Sequence, residues 1–201
     1  MKLYMKPGAC SLASHIALRE TGLPFDLVKV DLAAKKTEDG GDFLAVNPKG
    51  QVPTLGLGED GILTEGPVIL QYVADAAPEK SLIPAHGSLE RYRVLEWLNF
   101  VGTELHKTFS PLFRPTTPDA FKAIAKDTLA AKFAVLDRHL ASSRFLAGDG
   151  FTVADAYAFT VLRWAKPMGI DLPRWPNLEA YMARVGERPA VRAALAAEGL
   201  A

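Results

Sequence analysis

The sequence of 201 residues has a single cysteine, Cys10, and this scarcity excludes several classes of protein. One thiol cannot build an internal disulfide framework, so we expect a reducing, cytoplasmic location. A dithiol redox cycle within one chain is also excluded, whereas exchange through one thiol stays open. The sequence has four histidines, His15, His86, His106 and His139. They are not spaced as metal ligands, so no metal site is predicted.

The sequence also has no excess of one charge and no long apolar run. Lys and Arg total 23 and Asp and Glu total 23, so the formal net charge is zero at pH 7. Without a basic excess we expect no nucleic-acid partner and no anionic membrane surface as partner. No apolar run approaches the roughly 18 residues of a membrane span, while the hydrophobic fraction of 49% suits a globular chain.

Short apolar runs alternate with helical periodicity over the first 77 residues, and this pattern predicts an α/β unit. We expect strands at 1–5, 27–30, 52–57 and 62–64, and helices at 11–21, 43–46 and 66–77. The glycines of residues 56–61 match a dinucleotide-binding pattern. A strand follows them where that site needs a helix, so a hairpin turn is predicted instead.

Beyond residue 87 only helical patterns remain, at 88–107, 119–141, 153–168, 177–187 and 190–197. Residues 78–87 contain two prolines and a glycine and form the predicted linker. The expected organisation is therefore an α/β domain over 1–80 followed by an all-α domain over 88–201. Thr152 and Asp155 are placed to form a capping box at the start of one helix, which concerns folding and not a site.

Cys10 stands where the first strand should turn into the first helix. Unpaired backbone N–H groups and the positive end of the helix dipole favour a thiolate there, whether the protein's own or a ligand's. The alternative is an inert buried thiol that fills space. Position alone leaves both interpretations open.

Six segments converge on one family. They are KPGACSLA (6–13), NPKGQVP (47–53), LTEG (63–66), EWLN (96–99), TELHK (103–107) and FTVADAY (151–157). Together they resemble the cytosolic glutathione transferases, and the bacterial beta class in particular, over essentially the whole chain. The resemblance implies a thioredoxin-like, glutathione-binding domain over 1–80 and an all-helical domain over 88–201 that contributes the hydrophobic substrate site.

The resemblance also implies how the first domain holds glutathione. The backbone of Val52, presented by a cis peptide bond before Pro53, would pair with the cysteinyl backbone of the ligand. Glu65 would receive the ammonium group, and the N–H of Gly66 at a helix start would bind the γ-glutamyl carboxylate. Lys35 would neutralise the glycyl carboxylate. Without the resemblance, the sequence indicates only a solvated lysine at this position.

In the second domain, Asn99, Thr103 and His106 lie at i, i+4 and i+7 and are expected to share one helix face. Without the resemblance, this pattern is typical of an ordinary polar helix face exposed to solvent. The resemblance implies that it forms the wall over the thiol, with His106 facing Cys10. Glu104 would reach the ligand of a partner subunit, since members of the family pair into homodimers.

The predicted chemistry is the ionisation of a thiol. A free thiol with a pKa of about 8.5 is only about 3% ionised at neutral pH, and a helix dipole supplies less than one pKa unit. Hydrogen bonds must supply the rest, and the candidate donors are the Cys10 backbone N–H, the Ser11 hydroxyl and His106. Either the glutathione thiolate attacks an electrophile, or Cys10 forms and exchanges a mixed disulfide with glutathione.

The site for the second substrate is less specified. An apolar pocket between the domains is expected from a set of large side chains, namely Phe109, Phe113, Trp164 and Met168. Each of these side chains is equally suited to a core. Many relatives have a tyrosine at the position of Met5, which makes Met5 a candidate apolar contact for the second substrate.

The resemblance as a whole implies a homodimeric glutathione transferase that joins the glutathione thiolate to small hydrophobic electrophiles. A side activity in thiol–disulfide exchange or peroxide reduction would run through Cys10. Glutathione is the expected co-substrate, and no metal is expected. Two alternatives stay open at this point: a specialised glutathione-dependent dehalogenase, lyase or reductase, and a non-catalytic glutathione-binding module.

Overall fold

The structure is a computed structural model that describes all residues from Met1 to Ala201. The chain divides into two compact units. The first consists of Met1–Ile83 together with Arg188–Ala201, and the second is Pro84–Glu187. This division differs from the predicted domains, 1–80 and 88–201, because the end of the chain groups with the first unit.

The first unit is built on a five-stranded mixed sheet in the order β3-β2-β1-β4-β5. Its strands are β1 (Lys2–Met5), β2 (Asp26–Asp31), β3 (Lys36–Thr37), β4 (Thr54–Gly56) and β5 (Ile62–Thr64). Strands β1 and β2 are parallel and every other pair is antiparallel. The α/β prediction is confirmed, and only the two-residue strand β3 was not expected.

Four α-helices belong to this unit: α1 (Ser11–Thr21), α2 (Phe43–Val46), α3 (Gly66–Asp75) and α9 (Pro189–Ala197). Both α3 and α9 pack against α1, which is why nearly every residue of α1 is buried. Gly22 ends α1 in the left-handed conformation, with φ of 73°, and its N–H donates to Leu18 O. A 3₁₀ turn follows α3 at Pro78–Lys80.

The predicted hairpin turn between β4 and β5 is confirmed. A 3₁₀ turn occupies Gly58–Asp60, and the N–H of Leu57 donates to the carbonyl of Gly61 at 2.8 Å. Gly58 and Gly61 adopt positive φ, which residues with a Cβ rarely do. The strand β5 follows directly, so no helix N-terminus is present for a dinucleotide phosphate.

The regular elements of the second unit are all helices, as predicted, and one isolated β-bridge joins Phe145 and Gly148. The unit contains α4 (Leu89–Phe100), a π-helical segment (Val101–His106), α5 (Lys107–Phe109), α6 (Asp119–Leu140), α7 (Val153–Leu162) and α8 (Pro176–Gly186), with 3₁₀ turns at Ser110–Phe113 and Leu172–Arg174. No helix in the molecule is both long and apolar enough to span a membrane.

The helix predicted over 88–107 is interrupted. After Phe100 the backbone widens into the π segment, where the N–H of Lys107 donates to Gly102 O, five residues back. A π turn holds one residue more than the α spacing assumes. The prediction that Asn99, Thr103 and His106 share one face was counted at α spacing, which this segment does not keep, and it stays a prediction.

The helix predicted over 153–168 also ends early, at Leu162. From Trp164 onward the N–H groups donate three residues back, to Val161 O and then to Leu162 O, which tightens the chain into turns. Pro167 has no N–H and disfavours helical backbone at the preceding residue, and Gly169 then reverses the chain with φ of 69°.

Helix α7 is the centre of the second unit, because every one of its residues is buried. The predicted capping box opens it: the N–H of Thr152 donates to Asp155 Oδ2 at 2.8 Å. The other carboxylate oxygen, Oδ1, accepts from Leu146 N at 2.9 Å and from the Tyr181 hydroxyl at 3.0 Å. Burial raises the pKa of Asp155, and these donors lower it in part.

Candidate active site

Cys10 lies at the end of a tight turn between β1 and α1. The N–H of Ala9 donates to Lys6 O at 3.0 Å, and Gly8 provides a positive φ of 72°. This turn leaves Cys10 in the position that caps α1, with a half-buried side chain. Its thiol donates to the carbonyl oxygen of Val52 at 3.1 Å.

Burial raises the pKa of the Cys10 thiol to about 11. Hydrogen bonds from the backbone N–H groups of Cys10 and Ser11 lower the pKa, but they do not offset the loss of hydration, and the charge of Glu65 raises it further. The N–H groups at the helix start thus favour a thiolate, as expected, but for the protein's own sulfur burial outweighs them, which supports the alternative of an inert thiol. Cys10 is a neutral thiol near pH 7.

The Ser11 hydroxyl is fully buried and closes the same turn. It accepts from Lys6 N and donates to Lys6 O, both at 3.2 Å. Its only proton therefore bonds to the backbone of its own loop, and the structure does not direct it to a sulfur. The part of Ser11 in catalysis stays a prediction, and the structure assigns it a supporting contact to the turn.

The peptide bond between Val52 and Pro53 is cis, as expected from the resemblance. Val52 is buried in a small cluster with Val30 and Phe43, and its carbonyl oxygen accepts the Cys10 thiol. Backbone of the loop before Pro53 and the thiol of Cys10 are thus brought together in the first unit.

Asn47 holds the loop that carries Val52, and it was not among the predicted site residues. Its side chain is buried and donates to Gln51 O at 3.0 Å and to Thr54 Oγ1 at 2.8 Å. Its Oδ1 accepts from the N–H of Lys49 at 3.0 Å. All the hydrogen-bonding groups of this amide serve the loop.

Lys35 is tied to the same loop. Its Nζ donates to the carbonyl of Gly50 at 2.8 Å, and its own carbonyl accepts from Phe43 N at 2.9 Å. The residue adopts a positive φ of 56°, an uncommon conformation for a side chain with a Cβ. Lys35 is half-buried, which places a cation beside the loop rather than free in solvent.

Glu65 and Gly66 stand at the start of α3. Glu65 has a positive φ of 69°, and its carbonyl accepts the N–H groups of Val68 and Ile69. Its exposed carboxylate pairs with Lys49, with Oε1 and Nζ 2.8 Å apart. Gly66 is the first residue of the helix, so its N–H is one of those that the helix leaves unpaired and that favour an anion.

His106 ends the π segment of the second unit and is half-buried. Its Nδ1 lies 2.6 Å from the hydroxyl oxygen of Tyr157, and its ring meets the Trp164 ring edge-on, with centroids 5.0 Å apart. Burial lowers the pKa of His106 to about 4, and the charge of Lys107 contributes. The imidazole is therefore neutral near pH 7.

The other predicted residues of this segment make exposed contacts. The Thr103 hydroxyl donates to the carbonyl of Asn99 at 3.0 Å, and Glu104 forms an ion pair with Lys132. These contacts agree with a polar, solvated surface. The binding roles predicted for Asn99, Thr103 and Glu104 stay predictions.

The aromatic residues expected at the second substrate site pack around Trp164. Phe109 and Phe113 both meet its ring edge-on, at centroid distances of 5.7 and 5.2 Å. Phe109 is fully buried, so it is core, whereas Phe113 is 47% exposed and offers apolar surface. Met168 is half-buried.

Met5 is fully buried beneath the sheet, so the expectation that it contacts a second substrate is wrong. Tyr4 lies on the other side of β1 and packs against Phe43, with ring centroids 5.8 Å apart. The two residues therefore occupy opposite faces of the strand, as the alternation predicts. No group of three or more His, Cys, Asp or Glu side chains is arranged to hold a metal ion.

Comparison with known proteins decides the family. Residues 1–75 match the glutathione S-transferase N-terminal domain, and residues 100–189 match its C-terminal domain. The chain is 51% identical over 200 residues to the glutathione S-transferase GstA of Escherichia coli O157:H7, with all of both chains covered. It is 42% identical over 207 residues to GST-4.5 of Xanthomonas campestris, again with full coverage of both.

The chain belongs to the glutathione S-transferase family. Among solved structures, a ternary complex of the bacterial transferase BphK superposes with a TM-score of 0.97 at 55% identity, and both chains are fully covered. A sphingomonad glutathione S-transferase in complex with glutathione gives 0.96 at 54%, with full coverage of both chains. The beta-class transferase of Sphingomonas chungbukensis gives 0.96 at 52%, also with full coverage.

These findings confirm the predicted family, its beta class and the two-part transferase fold. Within this transferase, the first unit brings together the predicted residues Cys10, Val52 and Glu65 by contact or by charge. The structural supports, Asn47 and Lys49, were missed as site residues. Their only signal in the sequence was their place in the segment 47–53.

Proposed function

We propose that this transferase activates the thiol of glutathione and joins it to small hydrophobic electrophiles. The observation that carries the proposal is the arrangement beside Cys10. There, the carbonyl of Val52, the carboxylate of Glu65 and the start of α3 combine an acceptor, an anion and an anion-binding N–H in one unit. Glutathione presents the complementary set of a peptide group, an ammonium group and carboxylates.

Each end of glutathione would meet a group of suitable charge. The backbone of Val52 would pair with the cysteinyl backbone of the ligand, as the cis peptide bond before Pro53 presents it. Glu65 would receive the ammonium group, and the N–H of Gly66 would bind the γ-glutamyl carboxylate. Lys35 would neutralise the glycyl carboxylate from its place beside Gly50.

Two of these groups already have partners within the chain. Lys49 pairs with Glu65, and the Cys10 thiol bonds to Val52 O. The Lys49 pair is exposed, and exposed ion pairs contribute about 0–1 kcal/mol, so a ligand ammonium can displace it. The Cys10 S–H can turn away from Val52 O when the ligand binds, which leaves this carbonyl to accept from the ligand.

The neutral state of Cys10 favours one of the two reactions. A thiol with a pKa of about 11 is a poor nucleophile near pH 7, yet its one S–H can turn from Val52 O and donate a hydrogen bond to a neighbouring thiolate. Cys10 would then stabilise the glutathione sulfur rather than exchange with it. Hydrogen bonds to a charged sulfur are worth about 1.5–3 kcal/mol, or one to two pKa units.

The second unit would supply the remaining groups. We propose that His106 donates a further hydrogen bond to the glutathione sulfur, and that the exposed face of Phe113 beside Trp164 receives the hydrophobic electrophile. The polar residues Asn99 and Thr103 would line the same site. The chain would act as a cytoplasmic homodimer, with Glu104 reaching the glutathione bound by the partner subunit.

Binding and turnover together test this function. The chain should be retained on a glutathione-affinity resin and released by free glutathione, and it should conjugate glutathione to a chlorodinitrobenzene. Retention without turnover would identify a binding module. Turnover of disulfides or of halogenated acids alone would identify a specialised reductase or dehalogenase, and either result would overturn the proposal.

A further inference from the structure

The contact between His106 and Tyr157 is the shortest polar contact made by a predicted catalytic side chain. The hydroxyl oxygen of Tyr157 lies 2.6 Å from His106 Nδ1, and the two residues are 51 positions apart in the sequence. Tyr157 belongs to the fully buried helix α7 and is itself only 4% exposed. The position of the hydroxyl is therefore set by the core of the second unit.

The imidazole ring is fixed from more than one side. The Trp164 ring meets it edge-on at 5.0 Å, and the Tyr157 ring does so at 5.9 Å with an interplanar angle of 83°. The π segment fits around the tyrosine as well, because a Cβ added at Gly102 would lie 3.8 Å from the Tyr157 hydroxyl. Gly102 and His106 thus flank the same phenol group.

A neutral imidazole carries one N–H, and the hydrogen bond made by one nitrogen decides which nitrogen holds it. The His106 ring is neutral near pH 7 because burial lowers its pKa to about 4. A phenol is a stronger hydrogen-bond donor than an imidazole N–H, and an imidazole nitrogen is a stronger acceptor than a phenol oxygen. The favoured arrangement has the Tyr157 O–H donating to Nδ1.

We propose that Tyr157 is a positioning residue that holds His106 in the tautomer with the proton on Nε2. The nitrogen on the far side of the ring then always presents an N–H, and His106 acts as a neutral hydrogen-bond donor instead of a base. That the recipient is the glutathione thiolate rests on the proposed function. The tautomer itself does not.

Nuclear magnetic resonance of the free protein labelled with ¹⁵N-histidine tests the tautomer directly. The chain has four histidines, and the variant His106→Asn identifies the signals of His106 by their loss. We expect Nδ1 of His106 to have the ¹⁵N chemical shift of an unprotonated nitrogen and Nε2 to have that of a protonated nitrogen. A protonated Nδ1 in the wild-type chain would overturn the proposal, whatever the variants do.

The variant Tyr157→Phe removes only the hydroxyl. We expect the His106 signals to shift towards a mixture of the two tautomers, and an unchanged His106 spectrum in a folded variant would contradict the proposal. Tyr181→Phe is the matched control, because it removes a buried tyrosine hydroxyl of the same unit that bonds to Asp155 instead. It should leave the His106 signals unchanged.

Kinetics then separates this proposal from the proposed function. Tyr157→Phe should lower kcat for conjugation by about two- to tenfold, the value of one hydrogen bond, while the KM for glutathione stays within about twofold. A larger effect on KM than on kcat would contradict a positioning role at the sulfur. If the wild-type chain has no transferase activity, the proposed function fails, and the resonance experiment alone decides the tautomer.

Discussion

The two units of the molecule place functional groups in different ways. In the first, the candidate groups are mainly backbone atoms, such as Val52 O beside Cys10 and the N–H of Gly66 at the start of α3, and the Asn47 side chain holds the loop that carries Val52. In the second, the proposed functional groups are side chains, and packing fixes them, as Trp164 and Tyr157 fix His106.

This difference predicts where each kind of substitution should have its effect. A backbone group survives replacement of its own side chain and is lost only when the loop moves, so the first unit should be sensitive at its supports. A side-chain group is lost with its residue, so the second unit should be sensitive at the functional residues themselves. The largest predicted effect tests the apparent exception, the thiol of Cys10.

Cys10 should react slowly with iodoacetamide in the free protein. With a pKa of about 11, the thiolate fraction at pH 7 is more than about 100-fold lower than for an unperturbed thiol at about 8.5, and the rate should keep rising up to about pH 11. Fast alkylation at pH 7, with a plateau near neutrality, would show that the first unit acts through a reactive side chain after all.

The same raised pKa has a consequence for stability. The unfolded thiol ionises near pH 8.5 and the folded one near 11, so the native state should lose stability as the pH rises through this window. The comparison of Cys10→Ala with the wild-type chain in urea denaturation at pH 7 and pH 10 measures it. The wild-type chain should lose more stability than the variant, and equal losses would contradict the shift.

Glu65→Gln should raise the KM for glutathione by about 10- to 100-fold and change kcat little, because a hydrogen bond between charged groups is worth about 1.5–3 kcal/mol. Glu59→Gln is the control, since Glu59 is also exposed but lies in the hairpin turn. Steady-state kinetics with varied glutathione measures both. Similar KM values for the two variants would refute the role of Glu65.

Asn47→Ala should lower the free energy of unfolding by about 1–3 kcal/mol, because it leaves buried groups of the loop without partners. It should also raise the KM for glutathione by up to about tenfold, since the loop carries Val52. Asn177→Ala breaks a comparable contact to Asp137 in the second unit. It should destabilise the protein without changing this KM, and a matching KM change would remove the distinction between the units.

Phe113→Leu should have the smallest effect, a change of about two- to fivefold in the KM for the hydrophobic electrophile with little change for glutathione. The residue is 47% exposed, so leucine keeps much of its apolar surface. Phe121→Leu is the control, as Phe121 is 51% exposed on α6. Equal behaviour of the two variants would contradict a substrate role for Phe113.

Much of the first unit could be predicted because its signals are local. The turn before Cys10 and the hairpin at 58–60 each arise from residues within a few positions of one another, as does the capping box of Thr152 and Asp155 in the second unit. The two-residue strand β3 is too short to give a periodic pattern. The π segment was missed because helix spacing was assumed to be uniform.

What remained hidden depends on contacts distant in sequence. The bond between His106 and Tyr157 joins different helices of the second unit, and α9 groups with the first unit because it packs along α1. The choice between a thiolate and an inert thiol at Cys10 stayed open in the sequence for the same reason. The helix start was visible in the sequence, but the desolvation that outweighs it comes from the folded surroundings.

An ultraviolet titration of thiolate in the wild-type protein, recorded with and without bound glutathione, tests directly whether this protein activates the glutathione thiol. We predict that the complex gains one thiolate with an apparent pKa clearly below about 8.5, absent without the ligand, while Cys10 ionises near 11 in the free protein. A complex that shows no ionisation below that value would contradict the claim that this protein activates the glutathione thiol.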